Sequence, residues 1–451
     1  MSKTPDQSTR QTRPSLSALG QSTSSGSGPP GSRGRPVARF LRLIGPGVIT
    51  GASDDDPSGI GTYAMAGASL GYSCLWTALV TFPLMAAVQV ICATIGLVTS
   101  EGLAGVLRRH YSRWLLYPVV VTLLIANTIN AGVDIGAIAA GINLLVPIPL
   151  EWLIVPVALV IVALQVWGSY RLIARVFKWL TLALFAYIGS AFFARPDAGQ
   201  VLQGTFIPHV RLDSAYLVVL VAILGTTISP YLFFWQASQE VEEKKSVARR
   251  WWQRRPASEQ DLEHAAWDVN LGMLFSNVVM YFIILASAAT LHVAGRTNIG
   301  TAAEAAEALR PLAGAGATIL MALGLIGTGL LAVPILTTSA AYAACEAFGW
   351  KQGLDRPPHR AREFYAIIAG ATLVGMLINF VGINAVDALF WTAVLNGILA
   401  PPLLVVIMLV ANNGTVMGAR KPGLLTNLLG WAATVAMFAA AAGLFLTWGQ
   451  G

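Results

Sequence analysis

Long apolar blocks separated by short polar segments make up most of this 451-residue chain. Each block is long enough to supply the roughly 20 residues that a helix needs to cross the hydrocarbon of a membrane. We number the predicted helices as spans 1 to 11 and place them near residues 43–71, 73–99, 114–146, 151–169, 176–195, 215–240, 267–294, 315–348, 364–383, 385–411 and 424–448. The pattern predicts an all-α polytopic membrane protein with eleven transmembrane helices.

Polar residues interrupt span 1 and span 6. Span 1 breaks at "SDDDPSG", where Asp54, Asp55 and Asp56 precede a proline, and span 6 breaks at "GTTISPY", which combines a proline with hydroxyl side chains. The broken spans are five helices apart, so they occupy equivalent places in two halves, near 39–195 and 215–411. Discontinuous helices at matching positions of two halves are typical of a transporter's binding site at the membrane midplane.

Basic residues predict the orientation of the chain. With the amino terminus inside, the cytoplasmic segments are the chain up to Arg42 and the loops near 100–113, 170–178, 241–266, 349–363 and 412–423. Of the 29 Lys and Arg residues, four lie elsewhere, which leaves 25 inside: the four are Arg195, Arg211, Arg296 and Arg310. The positive-inside rule then gives a cytoplasmic amino terminus and an extracytoplasmic carboxyl terminus. Span 1 runs outward and span 6 inward, as in an inverted repeat of five plus five helices.

Composition excludes other classes of protein. Charged residues make up 11% of the chain, whereas soluble domains carry about 25%, so we expect an integral protein of the cytoplasmic (inner) membrane surrounded by lipid. The net charge of +7 comes from basic residues scattered among short loops, which argues against a nucleic-acid partner. The sequence has no nucleotide-binding P-loop and no readable pair of nucleophile and base, so we expect neither a pump nor an enzyme, and no cofactor.

Two further segments flank the transport core of residues 39–411, and one charged loop lies within it. Residues 1–38 are rich in Ser, Gly and Pro and predict a disordered cytoplasmic tail. Residues 412–451 add a loop and span 11, and the charged loop 241–266 is typical of a solvated or membrane-surface segment. The three cysteines lie in apolar stretches without metal-binding spacing, and no pattern indicates an oligomeric state.

The break in span 1 has the chemistry of a cation site. Unwound backbone in a membrane is tolerated only where protein or a water-filled cavity satisfies its polar groups. Each mid-membrane carboxylate adds roughly 2.5–3.5 kcal/mol on insertion scales, and a divalent cation, which prefers oxygen ligands, would offset much of that. In the alternative interpretation Asp56 caps the second half-helix, with Pro57 in its first turn.

Four stretches resemble the NRAMP transporters of divalent transition metals. "IGPGVITGASDDDPSGI" is similar to that family's first helix, "GTTISPYLFFWQ" to the sixth, "VDIGAIAAGINLL" to the acidic third and "YAACEAFGW" to the end of the eighth. The similarity covers about residues 40 to 411. It implies a LeuT-like inverted repeat, with helices 1 and 6 unwound at the midplane.

Departures from the family pattern bear on the transported ion. Asp56 takes the place of the metal-binding aspartate, whereas Gly59 stands for the ligand asparagine and Ser229 for the ligand methionine. Tyr231 and Gln236 replace two histidines, the second of which is linked to proton movement in the family. On the third helix one acidic position is kept as Asp134 and the other falls at Ala131.

These replacements favour a hard ion. Thioether ligands select soft and borderline metals, whereas carboxylate, carbonyl, hydroxyl and water suit Mg²⁺, Ca²⁺ and Mn²⁺. Mg²⁺ dehydrates reluctantly and keeps several waters, so it needs the roomier site that glycine and serine provide. The chain therefore resembles the divergent NRAMP-related magnesium transporters. With no histidine deep in a span, we expect uptake driven by the membrane potential without proton coupling, and Asp134 is more typical of a structural hydrogen-bond partner than of a proton carrier.

We predict alternating access with the ion held between the broken spans. Asp56 is the predicted ligand, with Asp54 and Asp55 attracting the cation or joining its hydrated shell, and Asn396 is either a weak ligand or a helix-packing residue. The remaining predicted ligands are backbone carbonyls and hydroxyls near the two breaks, at Ser53, Gly59, Thr226, Thr227 and Ser229.

Three rival functions stay open on the sequence. A proton-coupled Mn²⁺ or Fe²⁺ importer could manage without the thioether. An organic-solute transporter could use the same fold with Na⁺, and a membrane sensor could bind ions without moving them.

Overall fold

The computed structural model describes residues 45–167, 184–247, 257–354 and 356–447. These residues form helices and turns, without a strand in the described ranges. In chain order the α-helices are α1 (Pro46–Asp54), α2 (Pro57–Leu70), α3 (Trp76–Thr99), α4 (Leu103–His110), α5 (Arg113–Leu145), α6 (Leu150–Trp167), α7 (Phe185–Phe193), α8 (Ala198–Phe206), α9 (Ser214–Thr227), α10 (Pro230–Val247), α11 (Glu259–Ser287), α12 (Ala302–Ala306), α13 (Arg310–Ala313), α14 (Ala317–Phe348), α15 (Arg362–Met376), α16 (Ala385–Asn412), α17 (Gly414–Met417) and α18 (Leu424–Thr447).

The predicted all-α membrane fold is confirmed, but the count of eleven spans is not. Within the described ranges, nine stretches are long and apolar enough to cross a membrane. Span 1 is absent from those nine because it consists of two short helices, α1 and α2. Part of span 5 falls on residues 168–183, outside the described residues, as do the predicted tail 1–38 and residues 248–256 of the loop 241–266.

Several boundaries differ from the predicted ones, and side-chain capping accounts for two of the differences. Helix α11 begins at Glu259, eight residues before the predicted start of span 7, since Ser258 and Asp261 form a capping box there. The predicted cytoplasmic loop 100–113 contains α4. The connection between spans 5 and 6 contains α8, whose first turn is capped by Asp197.

The break between α1 and α2 follows from the residues that form it. Asp56 adopts an extended backbone conformation, and its side chain accepts a hydrogen bond from the Gly59 amide, which is the geometry of a helix N-cap. Pro57 then occupies the first position of α2, where its missing N–H costs nothing. The second break has a similar cause, because Pro230 begins α10 and cannot continue α9.

Three helix pairs hold the two breaks in the bundle. Helix α11 packs along α1, α9 packs along α16, and α5 packs along α14. At the first pair, Gly51 and Gly272 face each other so closely that a Cβ on Gly51 would overlap the Gly272 carbonyl. At the second pair, a Cβ on Gly225 would overlap the Ala393 carbonyl. Glycine is required at these crossings because backbone lies against backbone.

Candidate cation site

The two helix breaks lie against each other in the interior of the bundle. The Tyr231 hydroxyl, in the first turn of α10, donates to the Ser53 carbonyl of α1 at 2.8 Å. On the other side of the breaks, the hydroxyls of Tyr63 and Thr227 are 3.2 Å apart. The two helix breaks that the sequence predicts are therefore in direct contact, and we call the region between them the joint site.

Asp56 lies at the centre of this joint site and uses both carboxylate oxygens. Its Oδ1 accepts from the Ser58 hydroxyl at 2.6 Å and from the Gly59 amide at 2.8 Å. Its Oδ2 accepts from the Asn130 amide of α5 at 3.4 Å and lies 3.3 Å from the Tyr231 hydroxyl, whose single O–H is shared with the Ser53 carbonyl. The alternative interpretation of Asp56 as a helix cap is confirmed, and its role as a cation ligand stays a prediction.

Asp54 and Asp55 end α1 on the side that faces α11. The Ser276 hydroxyl of α11 lies 2.7 Å from Asp54 Oδ2 and 3.2 Å from Asp55 Oδ1. The other oxygen of each carboxylate, Asp54 Oδ1 and Asp55 Oδ2, is buried without a hydrogen-bond partner in the protein. These two aspartates therefore retain more free acceptor capacity than Asp56.

Two further unpartnered groups lie beside the breaks. Neither carboxylate oxygen of Asp134 on α5 makes a hydrogen bond of good geometry, although the carboxylate faces the Ser58 amide. The Thr226 hydroxyl is buried without a partner and would lie 3.2 Å from a Cβ placed on Gly59. The glycine that replaces the family's asparagine thus places no side chain against the Thr226 hydroxyl.

Other predicted site residues already bond to the backbone. The Ser229 hydroxyl donates to the Thr226 carbonyl at 2.6 Å, and the Thr227 hydroxyl donates to the Ile223 carbonyl at 2.6 Å. Both hydroxyls can therefore offer only lone pairs to an ion. Asn396 is buried on α16, where its neighbour Gly397 packs against the Val221 carbonyl of α9.

Gln236 belongs to a polar chain that leads away from the break. It accepts a hydrogen bond from the Thr50 hydroxyl and donates from Nε2 to Glu240 Oε1 at 2.8 Å. Thr50 and Gln236 are fully buried, and Glu240 is nearly so. The position of the family's second histidine is thus occupied by an amide that both accepts and donates.

No ion pair with a basic side chain is found for the three aspartates among the described residues. Asp54, Asp55 and Asp56 are at most 1% exposed. Ion pairs among the described residues include those of Arg109 with Glu101, Arg211 with Asp213 and Arg310 with Glu307, all with exposed arginines. In the same ranges no group of three or more His, Cys, Asp and Glu side chains is placed to hold a metal ion directly.

Sequence reasoning missed the residues that other helices bring to the site. Asn130 of α5, Ser276 of α11 and Tyr63 of α2 contact the predicted residues. Met280, one turn beyond Ser276, places its sulfur 3.8 Å from the Thr227 hydroxyl. The signal that could have found the residues of α11 is the spacing of four in Gly272, Ser276 and Met280, which puts them on one helical face.

A helical bundle with paired helix breaks and buried carboxylates at one of them belongs to the class of LeuT-fold membrane transporters. This chain is a member of the Nramp family, described as natural resistance-associated macrophage protein-like, which its residues 47–447 match. The resemblance found in the sequence is therefore confirmed, and with it the expectation of a transporter that is not an enzyme and belongs to a family without a cofactor.

Relatives and solved structures agree with this assignment. The divalent metal cation transporter MntH of Deinococcus radiodurans is 26% identical over 418 residues, which are 90% of this chain and 89% of that protein. MntH of Brucella suis is 26% identical over 321 residues, 70% of this chain and 69% of that protein. The manganese transporter of Eremococcus coleocola superposes with a TM-score of 0.69 at 18% identity, covering 92% of this chain and 87% of that one. The inward-facing form of Mhp1 superposes with a TM-score of 0.51 at 15% identity, covering 89% and 90%.

Proposed function

We propose that this protein moves divalent cations across the cytoplasmic membrane by alternating access, favours partly hydrated Mg²⁺ while also accepting Mn²⁺, and does so without proton coupling. The observation that carries the proposal is the burial of Asp54, Asp55 and Asp56 at a helix break with no ion-paired basic side chain. Unpaired buried charge is costly, and a divalent cation at the break supplies the missing positive charge.

The placement of the carboxylates supports a hydrated ion. The Asp56 carboxylate caps α2 by accepting from the Gly59 amide, whereas the Asp54 and Asp55 carboxylates face Ser276 of α11. The three carboxylates therefore do not form a compact inner shell. Water can bridge this spread because Mg²⁺ keeps much of its hydration shell. Gly59 leaves room for a water molecule because it has no side chain, and the unpartnered Thr226 hydroxyl beside it provides an acceptor.

In the proposed cycle the ion sits between the half-helices α1 and α10, with the amino terminus cytoplasmic. Asp56 contacts it directly or through one water, and the carbonyls near Ser53 and Thr226 complete the shell. Tyr231 of α10 contacts both sides of the first break, Ser53 of α1 and Asp56 at the start of α2. Rearrangement of α1 against α10 would therefore expose the ion to one side of the membrane.

The amide of Gln236 supports transport without proton coupling. It stands where the family has a histidine linked to proton movement and joins the Thr50 hydroxyl to the Glu240 carboxylate, and an amide does not titrate at physiological pH. An ion with two positive charges gains about 4.6 kcal/mol from 100 mV of membrane potential. This gradient is sufficient to drive uptake.

The second candidate is a proton-coupled importer of Mn²⁺ or Fe²⁺. The observation in its favour is the Met280 sulfur behind Thr227, because a thioether prefers softer metals. The relatives named for divalent metal cations and for manganese agree with it. Ser276 contacts Asp54 and Asp55 directly, whereas Met280 lies one helical turn further along α11, so we rank Mg²⁺ first.

The deciding experiment is flux into proteoliposomes that contain the purified full-length chain. Mg²⁺, Mn²⁺ and Fe²⁺ are offered separately and in competition, at fixed membrane potential, with and without a pH gradient. We expect Mg²⁺ and Mn²⁺ uptake that follows the potential and is abolished by Asp56→Ala. The magnesium preference is rejected if Mn²⁺ is taken up while millimolar Mg²⁺ is neither transported nor inhibits Mn²⁺ uptake.

Three further outcomes separate the remaining rivals. Acidification of the lumen during uptake would establish proton coupling. Divalent-cation binding in calorimetry without flux would indicate a sensor, and the absence of both would leave an organic solute as the substrate.

A further inference from the structure

One face of α11 follows the whole length of α1. Asp268, Gly272 and Ser276 are spaced by four residues and therefore lie in a row. Asp268 accepts from the backbone amides at the start of α1, Gly272 lies against its middle, and Ser276 meets the two aspartates at its end. We call these three residues the α11 stripe.

The α11 stripe fixes the position of Ser276 along the axis of α1. A Cβ on Gly272 would overlap the Gly47 carbonyl, and a Cβ on Gly51 would overlap the Gly272 carbonyl. Because the two backbones lie this close, α11 cannot slide along α1 without a clash. The Ser276 hydroxyl is thereby held opposite Asp54 and Asp55.

At this position one hydroxyl serves two carboxylates. A serine carries a single O–H donor, yet Ser276 Oγ lies 2.7 Å from Asp54 Oδ2 and 3.2 Å from Asp55 Oδ1. It can donate to one carboxylate at a time, so the pair has fewer donors than acceptors. Asp54 Oδ1 and Asp55 Oδ2 are also buried and unpartnered. The pair is therefore suited to accept from the water shell of a cation.

We propose that Ser276 is a positioning residue that holds Asp54 and Asp55 side by side as the outer-sphere acceptor of a hydrated divalent cation. The inference rests on the proposed function and deepens it, since it assigns the hydrated face of the site to α11. Asp56 and the two breaks form the inner face. Because Mg²⁺ keeps its water, its binding should depend more strongly on Ser276 than the binding of Mn²⁺ does.

The test substitutes Ser276 in the full-length protein. Ser276→Ala removes the shared donor, Ser276→Thr retains it, and Ser287→Ala is the matched control. Ser287 is a buried serine on the same helix whose hydroxyl has no hydrogen-bond partner. Binding of MgCl₂ and of MnCl₂ is measured by calorimetry in detergent, and uptake of each ion is measured in proteoliposomes.

We expect Ser276→Ala to weaken Mg²⁺ binding by about 10-fold or more, the usual effect of removing a residue that orients a metal ligand. Mn²⁺ binding should fall less, so the ratio of the two affinities shifts. Ser276→Thr should restore that ratio, and Ser287→Ala should leave it unchanged. A purely structural defect would lower both affinities together.

The outcomes separate this inference from the function beneath it. If the unsubstituted protein neither binds nor transports divalent cations, the proposed function fails. If the unsubstituted protein binds and transports divalent cations, but Ser276→Ala and Ser287→Ala have the same ratio of Mg²⁺ to Mn²⁺ affinity, Ser276 has no positioning role. Should Ser276→Thr not give a folded protein, the ratio measured for Ser276→Ala against Ser287→Ala decides alone.

Discussion

The Asp268 carboxylate of α11 binds the amino terminus of α1 through the Gly47 amide. Asp268 Oδ2 accepts from Gly47 N at 2.6 Å, and Oδ1 accepts from Gly45 N at 3.0 Å. The N-cap position of α1, Gly45, has no side chain that could do this. A residue more than 200 positions away therefore supplies the cap.

Asp268→Ala should destabilise the protein by about 1–2 kcal/mol, the upper part of the range for loss of a helix cap. It should also slow cation uptake, because α1 ends at the aspartates of the site. The unfolding temperature in detergent and flux in proteoliposomes are the measurements. Asp387→Ala, at an exposed position in the first turn of α16, is the control. Equal behaviour of the two variants would show that Asp268 does not anchor α1.

Gly51→Ala should disrupt the crossing of α1 and α11. The added Cβ would overlap the Gly272 carbonyl, and backbone has no rotamer with which to make room. Overpacking in a core costs about 1–3 kcal/mol, and we expect lower yield of folded protein and weaker cation binding. Gly370→Ala on α15 is the matched control, since its Cβ meets nothing within 4 Å. A Gly51→Ala protein as stable as Gly370→Ala would contradict the close crossing.

The helix breaks could be predicted from sequence because their causes are local. Asp56 before Pro57 forms a cap and a first helical turn, and Pro230 ends the preceding helix by the same kind of steric rule. Hydropathy placed most helices for a similar reason. The capping box at Ser258 was also readable, although we began span 7 at the first long apolar run instead.

The contacts across the site could not be predicted in this way. Ser276 and Asn130 reach the aspartates only because α11 and α5 have a particular register against α1 and α2. That register depends on glycines that permit contact between backbones, such as Gly272. Sequence shows that such glycines exist, but their partners are set by packing between helices distant in the chain.

Tyr231→Phe tests the link between the two breaks. The tyrosine hydroxyl donates to the Ser53 carbonyl and lies within 3.3 Å of Asp56 Oδ2, and its loss leaves a buried carbonyl without a partner. Such a group costs about 1–3 kcal/mol, and we expect Mg²⁺ and Mn²⁺ affinities both to fall by about 10-fold. Calorimetry measures both. The control is Tyr117→Phe, at an exposed position, and an unchanged affinity in Tyr231→Phe would remove Tyr231 from the site.

Asp213, which lies outside the membrane spans, should make the stability of the fold depend on pH. The hydrogen bond from the Tyr216 amide, helped by the neighbouring Arg211, lowers the pKa of Asp213. A carboxyl with a lowered pKa stabilises the fold above its unfolded pKa of about 3.9 and loses that effect as pH falls through the folded pKa. Unfolding temperatures of the unsubstituted protein and Asp213→Asn should therefore differ by a constant amount from pH 7 to about 5. The difference should shrink below about pH 4, and a difference that persists to about pH 3 would exclude a role for the charge.

Gln236→His should introduce a pH dependence that the unsubstituted protein lacks. The Gln236 amide accepts from Thr50 and donates to Glu240, and a neutral imidazole can do both. A protonated imidazole has two donors and no acceptor, so the Thr50 hydroxyl must then accept from the ring and donate to the Pro46 carbonyl, which reverses the hydrogen bond between α1 and α10. Because an unperturbed histidine titrates near about pH 6.5, uptake by Gln236→His should decline as the pH falls through this range. The unsubstituted protein and Gln200→His, altered at an exposed residue of α8, should give level profiles. A sloping profile in the unsubstituted protein would contradict transport without proton coupling, and a level one in Gln236→His would show that this polar chain does not control the cycle.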